Sequence, residues 1–185
     1  MNAKPLALSF ALALTMAGCA SSGNGNMLAA DAPRALPSEG PVSVAWNDPA
    51  SFTELRTSSS QRAAEGSWLT DLAKYMRKQA AANLPPGNRL QLTIVDIDRA
   101  GQFEPWRGPQ MQDVRIIRDI YPPRMTVRFR ETDPDGAMVS EGERKISDLG
   151  FTLSPPFNEI DPLRYEKRMV DDWLQREFPK PVAVR

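Results

Sequence analysis

Histidine does not occur in this chain of 185 residues, and cysteine occurs once, at Cys19. The first absence removes the side chain that shuttles protons near neutral pH and the commonest ligand of zinc, copper and iron. With a single thiol there is no Cys–His pair to act as nucleophile and base, and no disulfide framework within the chain. The fold has to hold by packing alone, which a chain of this length can do. A charge excess is missing too: 23 Lys and Arg face 23 Asp and Glu, so no global field favours nucleic acid or an anionic surface. No nucleic-acid partner and no cofactor are expected. Catalysis on this chain would have to use carboxylates, Lys, Ser or Tyr, or an oxygen-bound ion such as Ca²⁺ or Mg²⁺. No Gly-rich phosphate loop, GxSxG elbow or metalloprotease helix is present.

Long apolar runs are likewise absent. Leu6 to Met16 is too short to cross a bilayer, which takes ~20 apolar residues. With Lys4 before it and small Ala17 and Gly18 after it, the run reads as a secretory leader. Its position directly before Cys19 resembles a bacterial lipoprotein signal, in which the peptide is cut before the cysteine and the thiol is acylated. Residues 1–18 are thus expected to be a leader, Cys19 the lipidation site, and 19–41 a lipidated N-terminus and flexible tether. Ala20 to Pro41 is rich in Ala, Ser, Gly, Asn and Pro, and such a segment would span roughly 25 Å. Ala20 after the cysteine resembles outer-membrane sorting. The expected location is the outer membrane, facing the periplasm.

Residues 42–178 read as one α+β domain and 179–185 as a tail. Val42 to Trp46 alternates as a half-buried strand, and the serine-rich Thr57 to Gly66 reads as a loop. Trp68, Leu69, Leu72, Tyr75, Met76 and Ala80 form a helical stripe behind the N-cap candidate Ser67, and Pro85-Pro86-Gly87 stops it. In Arg89 to Asp98, strict alternation puts Leu90, Leu92 and Ile94 on one face with Asp96 and Asp98. Either the polar end leaves the core or a bulge near Ile94 swaps the faces.

Arg124 to Glu131 alternates with Met125, Val127 and Phe129 inward. Asp133-Pro134-Asp135-Gly136 then turns the chain into Ala137 to Ser147. Two registers compete there: a four-residue loop sets Arg128 opposite Glu141, and a turn with Gly136 as a left-handed bulge shifts every partner by one. The last element, Leu163 to Phe178, starts at the N-cap candidate Asp161 and Pro162. Its apolar stripe is Tyr165, Met169, Val170, Trp173 and Leu174, with Glu166, Lys167, Arg168, Asp171 and Asp172 left for water. The fold expected from this order is α+β, a mainly antiparallel sheet of about four strands covered on one face by two helices.

Asp96 to Tyr121 is the segment least like scaffold. It interleaves Asp96, Asp98, Glu104, Asp113 and Asp119 with Arg99, Arg107, Arg115 and Arg118, and adds Phe103, Trp106 and Tyr121. A long loop holding large aromatics is expected to be ordered. A family resemblance also shows here. Asp96-Ile-Asp-Arg-Ala-Gly-Gln-Phe-Glu-Pro-Trp-Arg-Gly-Pro109, Asp113-Val-Arg-Ile, Asp119-Ile-Tyr-Pro-Pro-Arg124 and Asp161-Pro-Leu-Arg-Tyr-Glu-Lys167 resemble the proteobacterial family known as domain of unknown function 3016. The resemblance runs from Val42 to Phe178. It implies exported or lipid-anchored proteins and transfers no catalytic residues.

Three function classes follow for the candidate residues Asp96, Asp98, Phe103, Glu104, Trp106, Arg107, Asp113, Arg115 and Tyr121. The first is a non-catalytic interaction module, held to the membrane by its N-terminal lipid and working with an envelope protein or cell-wall partner. Its hot spot would be Phe103, Trp106 and Arg107. The second is a carboxylate- or metal-dependent hydrolase centred on Asp96, Asp98 and Glu104. The third is a small-ligand or lipid binder, with Arg124, Arg128, Arg130 and Arg144 as a basic strip. Each has a structural competitor: arginines neutralising the acids, Trp106 plugging the end of the core with Arg107 capping a carbonyl, and the strand arginines forming a solvated face.

Overall fold

A computed structural model describes residues 27–29, 31–153 and 160–179. Cys19 and the leader expected over 1–18 lie outside the described residues, as does the end of the tail. The chain order is β1 (Val42–Trp46), α1 (Thr53–Thr57), α2 (Trp68–Asn83), β2 (Arg89–Asp98), β3 (Gln102–Phe103), β4 (Arg115–Ile116), β5 (Arg124–Thr132), β6 (Met138–Ser147) and α3 (Arg164–Glu177). Four strands make the main sheet in the order β1, β2, β5, β6, and β3 pairs with β4 in a second, two-stranded sheet. The class is α+β, as expected. The sheet is mixed, because β1 runs parallel to β2 and only the other pairs are antiparallel. A parallel pair needs a crossover of a dozen or more residues, and the segment holding α1 and α2 supplies it.

One face of the sheet is dry. Val42, Val44 and Trp46 of β1, Leu90, Leu92, Ile94 and Ile97 of β2, and Met125, Val127 and Phe129 of β5 are buried with Leu69, Leu72 and Met76 of α2 and Met169, Val170, Trp173 and Leu174 of α3. These apolar side chains recur at strand and helix periods, so one layer of helices covers one sheet face. At ~25 cal/mol per Å² of apolar surface removed from water, this core is the main source of stability.

Two irregularities decide which side chains face that core. A bulge between Ile94 and Asp96 inserts Val95 opposite no partner. It resets the alternation, so Ile97 is buried against the helices while Asp96 and Asp98 turn outward, partly exposed. The faces swap, which is the second of the two outcomes open in the sequence. The other irregularity is in the β5 to β6 hairpin. Gly136 adopts φ +86° and Asp133 N–H donates to the Ala137 carbonyl at 2.9 Å, so the left-handed turn chemistry prevails at the tip. A bulge between Glu131 and Thr132 on the paired ladder then restores the parity. The resulting register sets Arg128 opposite Glu143 and Arg130 opposite Glu141, neither of the registers weighed, because both devices act together.

The segment expected as a tether is fastened over its second half. Leu36 N–H donates to the Val44 carbonyl and Trp46 N–H donates to the Arg34 carbonyl. Ala35 bridges antiparallel to Ala45, and Leu36 is buried. Arg77 of α2 donates to the Pro37 carbonyl and pairs with Glu39 at 2.6 Å. The physical reason is the free edge of β1, whose backbone groups need partners. Three further expectations are corrected. Thr57 to Gly66 is not plain loop, because Gln61–Ala64 forms a short 3₁₀ turn capped by Ser60. Helix α1 was not foreseen. Glu166, expected in water, is buried on α3.

Candidate functional site

Where β2 leaves the sheet, the chain makes its long excursion from Arg99 to Pro123, and three carboxylates organise it. The first is Glu54 on α1, 2% exposed. It accepts the Arg99 backbone N–H at 2.9 Å and the Arg99 guanidinium at 3.0 Å, and it also binds the Arg115 guanidinium. Each arginine then lies over an aromatic ring: Arg99 over Trp68 at 4.4 Å and Arg115 over Phe103 at 4.7 Å. Arg115 further donates to the Gly101 carbonyl at 2.9 Å. Gly101 is forced to be glycine, with φ +78° and an added Cβ falling 2.7 Å from the Ile116 carbonyl oxygen.

Glu104 is the second. It is fully buried and receives Arg107, Arg118 at 3.2 Å and the Tyr121 hydroxyl at 2.9 Å. The bond from Arg107, ahead of those from Tyr121 and Arg118, holds its carboxyl below the ordinary range although burial opposes this. The same carboxylate pushes the Tyr121 phenol up. Glu166 is the third. One oxygen accepts the Ala100 N–H at 2.7 Å and the other has no partner among the described residues. Burial pushes its carboxyl up, more than Ala100, Arg99 and Arg115 pull it down.

The aspartates do different work. Asp96 accepts the Thr53 N–H at 2.6 Å, the Thr53 hydroxyl at 2.7 Å and the Ile97 N–H at 2.9 Å, which ties α1 to the end of β2. Asp98, like Glu166, has its carboxyl moved up, in its case to about 6. Burial is the main cause and the nearby Glu54 charge the next, against Arg124 and Arg115. Asp113 accepts the Ser60 hydroxyl at 2.9 Å and faces Arg62 at 3.6 Å.

Of the nine residues singled out by sequence, the structure gathers Glu104, Arg107 and Tyr121 around one buried carboxylate. Phe103 and Arg115 join through the ring contact and the β3 to β4 ladder. Asp96, Asp98 and Glu104 do not share a single centre. Asp96 serves the base of α1 and Glu104 is enclosed by its own donors. Among the described residues, no group of three or more carboxylates stands where a metal ion could be held. Trp106 does not plug the core: it is 71% exposed, and Arg107 binds Glu104 instead of capping a carbonyl. Glu54 and Glu166 were missed. Burial of an isolated acid leaves no trace in local sequence, although the excess of arginines after Asp98 implied acids elsewhere to receive them.

The tip carrying Trp106 is rigid in construction. Pro105 opens a 3₁₀ turn over Pro105–Arg107, Gly108 closes it at φ +111°, and Glu104 anchors it from below. A concavity of about 590 Å³ is lined by Leu28, Leu55, Ser58, Ser60, Ala63 and Glu65 among others, and by no residue of that turn. The basic strip expected along β5 is mostly neutralised. Arg128 pairs with Glu143 at 2.9 Å and Arg130 approaches Glu141 at 3.9 Å. Arg144 belongs to the other face, bound to Glu177 by two bonds and laid over Phe129.

The architecture defines a small α+β domain with a single-layer helical cover and an arginine-and-carboxylate clamp at one end of its sheet. The family model described as protein of unknown function, DUF3016, matches residues 40–176. The chain belongs to this family. No curated protein and no solved structure matches the chain.

Proposed function

We propose that this chain is an outer-membrane lipoprotein, acylated at Cys19, whose periplasmic domain is a non-catalytic interaction module of the cell envelope. The reading is carried by Trp106. A tryptophan 71% exposed, next to an arginine and set on a turn clamped by a buried carboxylate, has the composition and low conformational cost of an interface anchor. Exposed Val114 and Ile120 in the same excursion add apolar surface. Anchoring rests on the leader and Cys19, and is consistent with there being no helix, among the described residues, long and apolar enough to cross a membrane.

Photo-crosslinking from position 106 in intact cells tests the module. It should yield discrete adducts that vanish when the probe is moved to an exposed position on the outer sheet face, such as Gln91. Identical adduct patterns from both positions would sink the reading. Cys19→Ala should release the protein to the soluble fraction; its retention in membranes would remove the anchor. A second reading, carboxylate-based hydrolysis, is favoured by one observation, the Asp98 carboxyl lying near 6, where a general acid or base works well. It requires that Asp98→Asn abolish a hydrolytic turnover that the Trp106 variants retain.

A further inference from the structure

On the outward face of the sheet, Arg128 and Arg130 are matched by glutamates of β6. Arg124 and Lys145 are not. Among the described residues, neither makes an ion pair or a side-chain hydrogen bond, and the hydroxyls of Thr126 and Ser147 are equally unengaged. The ladder sets Arg124 opposite Ser147 and Thr126 opposite Lys145. Four donor side chains therefore stand at the corners of one square, with opposed Cβ atoms about 5 Å apart, and of these Arg124 also feels the Asp98 carboxyl across the ladder. They line a notch of about 290 Å³ that Asp96, Met125 and Ile146 complete. Asp96 makes no ion pair with either cation: its oxygens accept from Thr53 and the Ile97 N–H, and its negative charge stays at the edge of the notch.

We propose that this notch binds a tetrahedral oxyanion of the phosphate class, with Arg124 and Lys145 supplying the charge and Thr126 and Ser147 further hydrogen bonds. Two cations on one small square repel each other unless an anion lies between them. A guanidinium fork and a flexible ammonium are the pair that phosphate groups recruit. A carboxylate offers two oxygens in one plane, whereas a tetrahedral phosphate group presents its oxygens in several directions and suits four donors set around a notch. A phosphate monoester, inorganic phosphate and a phospholipid headgroup share this chemistry.

The neighbouring acid gives the site a signature. Asp98 lies opposite Arg124 on β2. Burial and Glu54, with a smaller push from Asp96, raise its carboxyl to about 6, while Arg124 and Arg115 pull it back. An anion seated on Arg124 cancels part of that pull and favours the protonated acid. Binding therefore takes up a proton and tightens as pH falls through about 6.

Calorimetric titration of the full-length protein with sulfate, which keeps its charge across the neutral range, and with inorganic phosphate tests the site. The double variant Arg124→Gln, Lys145→Gln should weaken both by about tenfold or more, while Arg128→Gln changes neither. All three positions are exposed, and matching unfolding midpoints would establish that the variants fold. No binding by the unmodified chain, or equal binding by the double variant, overturns the proposal. Asp98→Asn should flatten the pH dependence of sulfate binding, and an unchanged profile removes the coupling. Cosedimentation of the Cys19→Ala chain with vesicles of phosphatidylglycerol in phosphatidylcholine separates the sources. Capture that the double variant loses assigns a headgroup, and anion binding without capture assigns a soluble phosphate.

Discussion

Replacing Glu54 should unfasten one end of the domain. Its side chain is 2% exposed and serves two guanidinium groups whose side chains are only 13% and 20% exposed. Removing one member of a buried charge network leaves the others without a counter-ion, which costs about 3–5 kcal/mol. That is a large share of a typical total of about 5–15 kcal/mol, and for a chain of this size it lowers Tm by roughly 6–20 °C. Glu54→Gln is the sharper probe, because the amide oxygen can still accept the Arg99 backbone N–H while the charge is gone. Urea unfolding at neutral pH should show a lower midpoint with an unchanged slope. Arg130→Ala provides the contrast: that arginine and its partner Glu141 are more than half exposed and 3.9 Å apart, so its loss should cost under about 1 kcal/mol. If Glu54→Gln were as mild as Arg130→Ala, Glu54 would not be the keystone of the clamp.

Glu166→Gln should stabilise the protein more as pH rises. A carboxyl raised by burial stays protonated in the folded chain after its unfolded counterpart has ionised. Stability is therefore lost as pH climbs from about 4.5 toward the folded value, and a neutral amide escapes that loss; a stability difference that is flat with pH would refute this. Carbon-detected NMR of the side-chain carboxyls should find Asp98 titrating near 6, and Arg124→Ala should move it upward; a midpoint in the ordinary aspartate range would contradict the burial argument. Gly101→Ala should destabilise by about 1–3 kcal/mol through left-handed strain and the clash with the Ile116 carbonyl, read by thermal unfolding. Trp106→Ala should leave stability within about 0.5 kcal/mol, as an exposed substitution does, while removing the crosslinked adducts.

Helices α2 and α3 and the core strands were legible because burial repeats with the period of the element. Leu69, Leu72 and Met76 on α2, Met169, Val170 and Trp173 on α3, and Met125, Val127 and Phe129 on β5 all face inward as their spacing requires. The candidate segment was legible as a place but not as a mechanism. Glu104, Arg107 and Tyr121 were all singled out, yet their convergence on one buried carboxylate depends on a turn of the chain that no local pattern encodes. For Trp106 the sequence left two readings open, an exposed hot spot and a plug at the end of the core, because composition alone gives no sign of which side of a loop faces water.

By itself the sequence determined the chemistry excluded by the lack of histidine and of a second cysteine, and the α+β class with its inward and outward positions, since these depend on residue type and on spacing along the chain. Tertiary structure alone decided the rest: the parallel seat of β1, the bulge at Val95 that turns Asp96 and Asp98 outward, the second hairpin bulge that matches arginine to glutamate, and the burial of Glu54 and Glu166. Each of these arises where groups far apart in sequence compete for the same hydrogen bonds, counter-charges or dry space. That competition is settled by three-dimensional proximity, about which a local pattern of residues is silent.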